Sequence, residues 1–93
     1  MTQTARDPAL RQLVIDWLDD NYHFGDAAEM IRDDGMSFLQ NGILDSLGFV
    51  QLLLFLEERL ALQIDRSDLS PENFDGLGKI VTYLVAHPDY RGA

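Results

Sequence analysis

The chain has 93 residues, with 7 basic side chains against 16 acidic ones, a formal net charge of −9 and no cysteine. That length suits one domain with a modest core and a thin stability margin, and leaves little room for a deep enzyme cleft. Nucleic acids and anionic membranes are disfavoured by the charge, and disulfides, thiolate metal sites and cysteine nucleophiles by the composition. The same acidity favours encounter with basic protein surfaces, although it could equally serve solubility alone.

The N-terminus, Met1 to Asp7, has no apolar core region and does not read as a signal peptide. A first helix is predicted from Asp7, a good N-cap, with Pro8 at the first helical position. Leu10, Leu13, Val14, Trp17 and Leu18 repeat at helical spacing and mark its buried face, and Asp19 to Asn21 lie on its far side or end it. A long segment follows, from about residue 22 to residue 45. Met30 and Ile31 suggest a short helical turn there, and Phe38, Leu39, Ile43 and Leu44 read as anchors to the core. A loop of this length is uncommon in a compact domain and is often functional; a plain connector between two helices is the other reading.

The second helix is expected from Ser46 to Leu60 or Ala61. At about 100° per residue, Phe49, Leu52, Leu53, Leu56 and Leu60 fall on one stripe, the core face. Leu47, Val50 and Leu54 fall on a second stripe, bordered by Gln51, Glu57 and Glu58. Packing into a core needs only the first stripe, so the second is covered either by other helices or by a partner. Leu62 to Asp65 should leave the helix extended. Ser70-Pro71-Glu72 reads as a cap and the start of a short helix ending near Phe74. Asp75 is expected to cap a last helix, buried along Leu77, Ile80, Val81, Leu84 and Val85 and stopped by His87-Pro88. The chain should fray at residues 1–7 and 89–93. The fold class is therefore all-α: one domain over residues 1–93, with three main helices, one short helix and a long first loop. The longest apolar run, Leu52 to Leu56, is five residues, far short of a membrane span.

Gly42-Ile43-Leu44-Asp45-Ser46-Leu47-Gly48-Phe49-Val50 resembles the attachment motif of acyl and peptidyl carrier proteins, whose core is Asp-Ser-Leu at a helix start. The order of elements from about Leu10 to Val85 is similar to that family as well. The resemblance implies an acyl-carrier-like bundle that is not an enzyme. It implies that Ser46 bears a 4′-phosphopantetheine arm derived from coenzyme A. Asp45 would assist recognition by the phosphopantetheinyl transferase. Leu47, Val50, Gln51, Leu54, Glu57 and Glu58 would form the face presented to the transferase, a loading ligase and downstream biosynthetic enzymes with basic docking patches. A monomer in the cytoplasm is expected. Gly48 and Gln51 stand where fatty-acid carriers often have acids, and the Gly48–Leu54 run is more similar to amino-acid carriers, the D-alanyl type among them. The cargo is thus expected to be an amino acid or a short acyl group, carried outside a filled core. The competing reading is an acidic helical interaction module that never gains the arm.

The physics of the position is compatible with attachment. A serine at a helix N-terminus is exposed near unpaired backbone N–H groups, at the positive end of the helix dipole, where a phosphodiester is stabilised. A bare N-cap role, worth about 1 kcal/mol, is the structural alternative for Asp45 or Ser46. His23 and His87 are isolated, and an EF-hand at Asp34-Gly35 fails because Met30 and Arg32 occupy positions that need acids. No nucleophile–base pair stands out.

Overall fold

The computed structural model of the protein describes residues 7–23 and 25–92, with the side chain of His23 outside that description. The readings made on Met1 to Arg6 and on the His23 imidazole fall outside these residues.

Asp7 caps the first helix as expected, its Oδ1 accepting from Leu10 N–H at 3.0 Å. Helix α1 spans Pro8–Leu18 and buries Leu10, Val14, Ile15 and Leu18. Leu13 and Trp17 pack partly buried against the same core. The chain does not stop at Asp19. It continues as a π turn, Asp19–His23, which contains Tyr22. Asp19 Oδ1 accepts from Gly25 N–H and Ala27 N–H, at 3.1 and 2.8 Å, and closes this turn onto the next helix. That helix, α2, is the four-residue Ala27–Met30, centred slightly before the predicted turn at Met30 and Ile31.

The long loop is pinned by side chains rather than by regular structure. Phe38, Ile43 and Leu44 are buried, and the Phe38 carbonyl accepts from the N–H groups of Ile43 and Leu44 at 2.9 and 3.2 Å. Leu39 is only partly buried. Arg11 pairs with Asp34 at 3.0 Å, while the Asp34 carbonyl accepts from Gly78 N–H at 2.8 Å. Loop, α1 and the last helix thus meet at one residue.

Helix α3 spans Ser46–Leu60. It ends on Ala61 in the left-handed region, φ 56°, a conformation more usual for glycine. Leu62 and Ile64 are buried, and Gln63 is exposed between them. No strand forms among the described residues. A 3₁₀ turn at Arg66–Asp68 was not anticipated. Its cap is Asp65, whose carboxyl accepts from the backbone N–H and the hydroxyl of Ser67 and is held below the ordinary carboxylate range by those bonds.

Helix α4, Pro71–Phe74, begins after Ser70, whose side chain makes no capping hydrogen bond. Helix α5, Leu77–Val85, buries Leu77, Ile80, Val81 and Leu84. Its N-cap is Gly76, not Asp75, and there is no side-chain cap. At φ 146°, Gly76 brings the chain so near the loop that a Cβ would stand 2.8 Å from the Met36 carbonyl oxygen. Asp75 instead turns inward. It is 8 % exposed, its Oδ2 accepts from the Ser37 hydroxyl, and its Oδ1 accepts from Leu39 N–H at 3.0 Å. The helix cap predicted from sequence is therefore a cross-link between the α4–α5 junction and the first loop.

Asp89 and Tyr90, expected to fray, are tied down. Asp89 N–H donates to His87 Nδ1 at 3.0 Å, and the Tyr90 hydroxyl donates to the Asp7 carboxylate. Every buried side-chain nitrogen and oxygen among the described residues has a hydrogen-bond partner.

Candidate functional site

Ser46 is the first residue of α3 and is exposed. Asp45, also exposed, caps the helix, its Oδ1 accepting from Gly48 N–H at 2.8 Å. Phe49 N–H donates to the Asp45 carbonyl at 2.9 Å. Helix geometry then leaves the amides of Ser46 and Leu47 without an intrahelical partner, at the positive end of the dipole and beside the Ser46 hydroxyl. Ile43 and Leu44, both buried, anchor the approach to this turn.

Around its axis α3 has three stripes. Phe49, Leu52, Leu53, Leu56 and Leu60 are buried and form the core stripe, as the periodicity predicted. Leu47, Val50 and Leu54 are 65 %, 51 % and 58 % exposed, so no other helix among the described residues covers the second stripe. Between these runs a third flank, Gly48, Gln51 and Phe55, that sequence reasoning did not separate. Tyr22 and Trp17 are associated with it. The Tyr22 hydroxyl donates to Gln51 Oε1 at 2.8 Å. Trp17 neighbours both other aromatics, its ring centroid 5.7 Å from that of Tyr22 and 6.0 Å from that of Phe55. The available clue was Gly48 itself, since glycine in the first turn of a helix is disfavoured unless something occupies the space of its side chain.

The two acids of the exposed stripe differ. Glu58 is exposed. Glu57 is half-buried, and its Oε2 accepts from Ile64 N–H at 2.7 Å, holding the segment after α3. An apolar groove of about 680 Å³ runs along the outer side of α5, bordered by Asn73, Gly78, Thr82, Tyr83, Ala86 and Pro88. No α3 residue lines it. At its edge Tyr83 donates to Asp68 Oδ2 at 2.6 Å. Burial, and then the hydrogen bond and charge of Asp68, raise its phenol to about 12. Among the described residues no group of three or more His, Asp or Glu side chains is placed to hold a metal. No helix among them is long and apolar enough to cross a membrane.

The D-alanyl carrier protein of Streptococcus suis (strain 98HAH33) is 33 % identical to this chain over 60 residues, which span 64 % of the chain and 72 % of that relative. The chain belongs to the carrier-protein family. No family model and no solved structure matches it. Carrier proteins are not catalysts, and this carrier protein is not an enzyme. In it the structure brings Asp45, Ser46, Leu47, Val50, Gln51 and Leu54 onto adjoining turns of one helix, with Glu57 and Glu58 on the turns that follow.

Proposed function

We propose that this protein carries an acyl or aminoacyl group as a thioester on a 4′-phosphopantetheine arm attached to Ser46, and presents it to partner enzymes along the exposed stripe of α3. The arm supplies the thiol that a chain without cysteine lacks. The observation that carries the proposal is an exposed serine opening a helix, capped by Asp45, beside an uncovered apolar stripe in a carrier-family chain. The position fits a phosphodiester: an accessible hydroxyl to form the ester, with two backbone amides at a helix N-terminus to donate to the phosphate oxygens. Asp45 spends only Oδ1 on the cap, and its second oxygen serves recognition by the transferase. Leu47, Val50 and Leu54 give partners contact area, and Glu58 gives them charge to read.

An acyl-carrier-like domain of this kind would act as a monomer in the cytoplasm, between a loading ligase and downstream biosynthetic enzymes with basic docking patches. The cargo is an amino acid or a short acyl group. The core side chains of α3 and α5 are already buried in one hydrophobic cluster, and opening it for a long chain would work against close packing. The name of the Streptococcus suis relative is in keeping with an aminoacyl cargo.

The test is intact mass. Incubation with coenzyme A, magnesium and a broad-specificity phosphopantetheinyl transferase should add one phosphopantetheinyl group, and Ser46→Ala should add none. An unchanged wild-type mass with several transferases refutes the carrier function in favour of an unmodified interaction module.

A further inference from the structure

Gly48 lies two residues after Ser46, on the third flank of α3. A Cβ there would stand 2.8 Å from Tyr22 Oη and 3.0 Å from both Tyr22 Cζ and Leu44 Cδ2. The space a side chain would need is already filled by a phenol from another element. The π turn at the end of α1 delivers that phenol, Trp17 stands beside it, and its hydroxyl fixes the Gln51 amide through Oε1. Gln51 is exposed and adjoins Leu47 and Leu54 on the helix surface.

With Tyr22 and Leu44 packed here, position 48 has no room for a side chain unless one of them shifts. Any larger residue at 48 displaces the ring, and with it the bond that orients Gln51. The edge of the α3 face nearest the attachment turn is thus lined by two uncharged hydrogen-bonding groups. Asp45 is exposed at the attachment turn itself, and within α3 beyond Gln51 the next exposed acid on this side, Glu58, lies about 10 Å further along the axis.

We propose that Gly48 and Tyr22 are a specificity-determining pair: the phenol held in the Gly48 notch positions Gln51, so that this edge of the docking face selects partners offering an uncharged hydrogen-bonding group rather than a cation. The role rests on the carrier function proposed above. Tyr22 acts as a positioning residue and Gln51 makes the contact.

The experiment measures KM and kcat for arm addition by a broad-specificity phosphopantetheinyl transferase with coenzyme A, at low and high salt. The proteins are wild type, Gly48→Ala, Tyr22→Phe and the double variant, each with its melting temperature. Tyr22→Phe keeps the ring and removes only the hydroxyl, so it preserves the fold. Each single variant should raise KM about five-fold, the size of one neutral hydrogen bond, with kcat unchanged. The increase should be the same at both salt concentrations, because no charge is involved. The double variant should be no worse than either single one, because both break the same unit. KM values equal to wild type overturn the inference, as do losses that multiply in the double variant or an effect that high salt removes. Wild type that accepts the arm while all variants match it overturns this inference alone. Wild type that accepts no arm overturns the carrier function and the inference together.

Discussion

Replacing Asp75 should cost this small protein a large part of its stability. The side chain is 8 % exposed and accepts two hydrogen bonds, from the Ser37 hydroxyl and from Leu39 N–H. Hydrogen bonds to a charged group contribute about 1.5–3 kcal/mol each, so Asp75→Ala removes about 3–6 kcal/mol of interaction. Ser37 and Leu39 are only partly buried, and water reaching their donors returns some of this, leaving a net loss of about 3 kcal/mol. At about 0.05–0.15 kcal/mol per residue, a chain of 93 residues is stable by about 5–14 kcal/mol. With a urea slope of about 1 kcal/mol per molar for so small a domain, the midpoint should fall by about 3 M. Asp75→Asn keeps an acceptor for Leu39 and a polar partner for Ser37, and should lose only about 1 kcal/mol. Urea unfolding followed by far-ultraviolet circular dichroism measures both. An alanine variant within 1 kcal/mol of wild type, or an asparagine variant as damaged as alanine, would refute the account of Asp75 as the cross-link holding the first loop.

Glu57 and Glu58 should separate under charge reversal. Glu57→Lys loses the acceptor for Ile64 N–H and should cost about 1–2 kcal/mol in the same urea assay, whereas Glu58→Lys should stay within about 0.5 kcal/mol and instead slow arm addition at low salt, an effect that high salt removes. Tyr83, followed by phenolate absorbance in a Tyr22→Phe, Tyr90→Phe background, should titrate near 12, and Asp68→Asn should bring it down towards 10. Because the folded value lies above the unfolded one, the stabilisation tied to that phenol is complete below pH 10 and disappears as pH rises through about 12.

The sequence made the helices legible because their signals are local. Asp7-Pro8, the stripe from Phe49 to Leu60 and the spacing of Leu77, Ile80, Val81 and Leu84 each state a start or a face within a few residues. What it hid depends on contacts between distant segments. Asp75 precedes a helix and has the composition of a cap, but its partners lie 38 and 36 residues away, and local pattern carries no trace of them. Glu57 looked like a surface acid on helical periodicity, yet the left-handed turn at Ala61 folds Ile64 back within reach of it. The π turn was equally invisible, since one extra residue per turn leaves no compositional mark. The placement of Asp45 and Ser46 at the start of α3 and the exposure of Leu47, Val50 and Leu54 were readable from one motif and one helical wheel. Tyr22 was not, because it reaches Gly48 from a segment whose conformation the sequence does not specify.

The three stripes of α3 give that helix three separate tasks, and the energetics show why the exposed one matters. Burying a side chain such as leucine contributes about 1.5–3 kcal/mol. Leu47, Val50 and Leu54 leave most of that gain unused in a domain whose whole margin is of order 10 kcal/mol. Their neighbours on the core stripe are buried, and the third flank is associated with Trp17 and Tyr22, so cover for hydrophobic residues was available within the fold. Three apolar side chains left in water beside Ser46, on a protein of charge −9, are placed to gain from burial only when another surface arrives. In the function proposed above, a basic partner would be drawn in by the overall charge, held by the apolar stripe and tested at its edge by the Tyr22–Gln51 pair. Attraction and selection then fall to different residues, and each can be altered by substitution without removing the other.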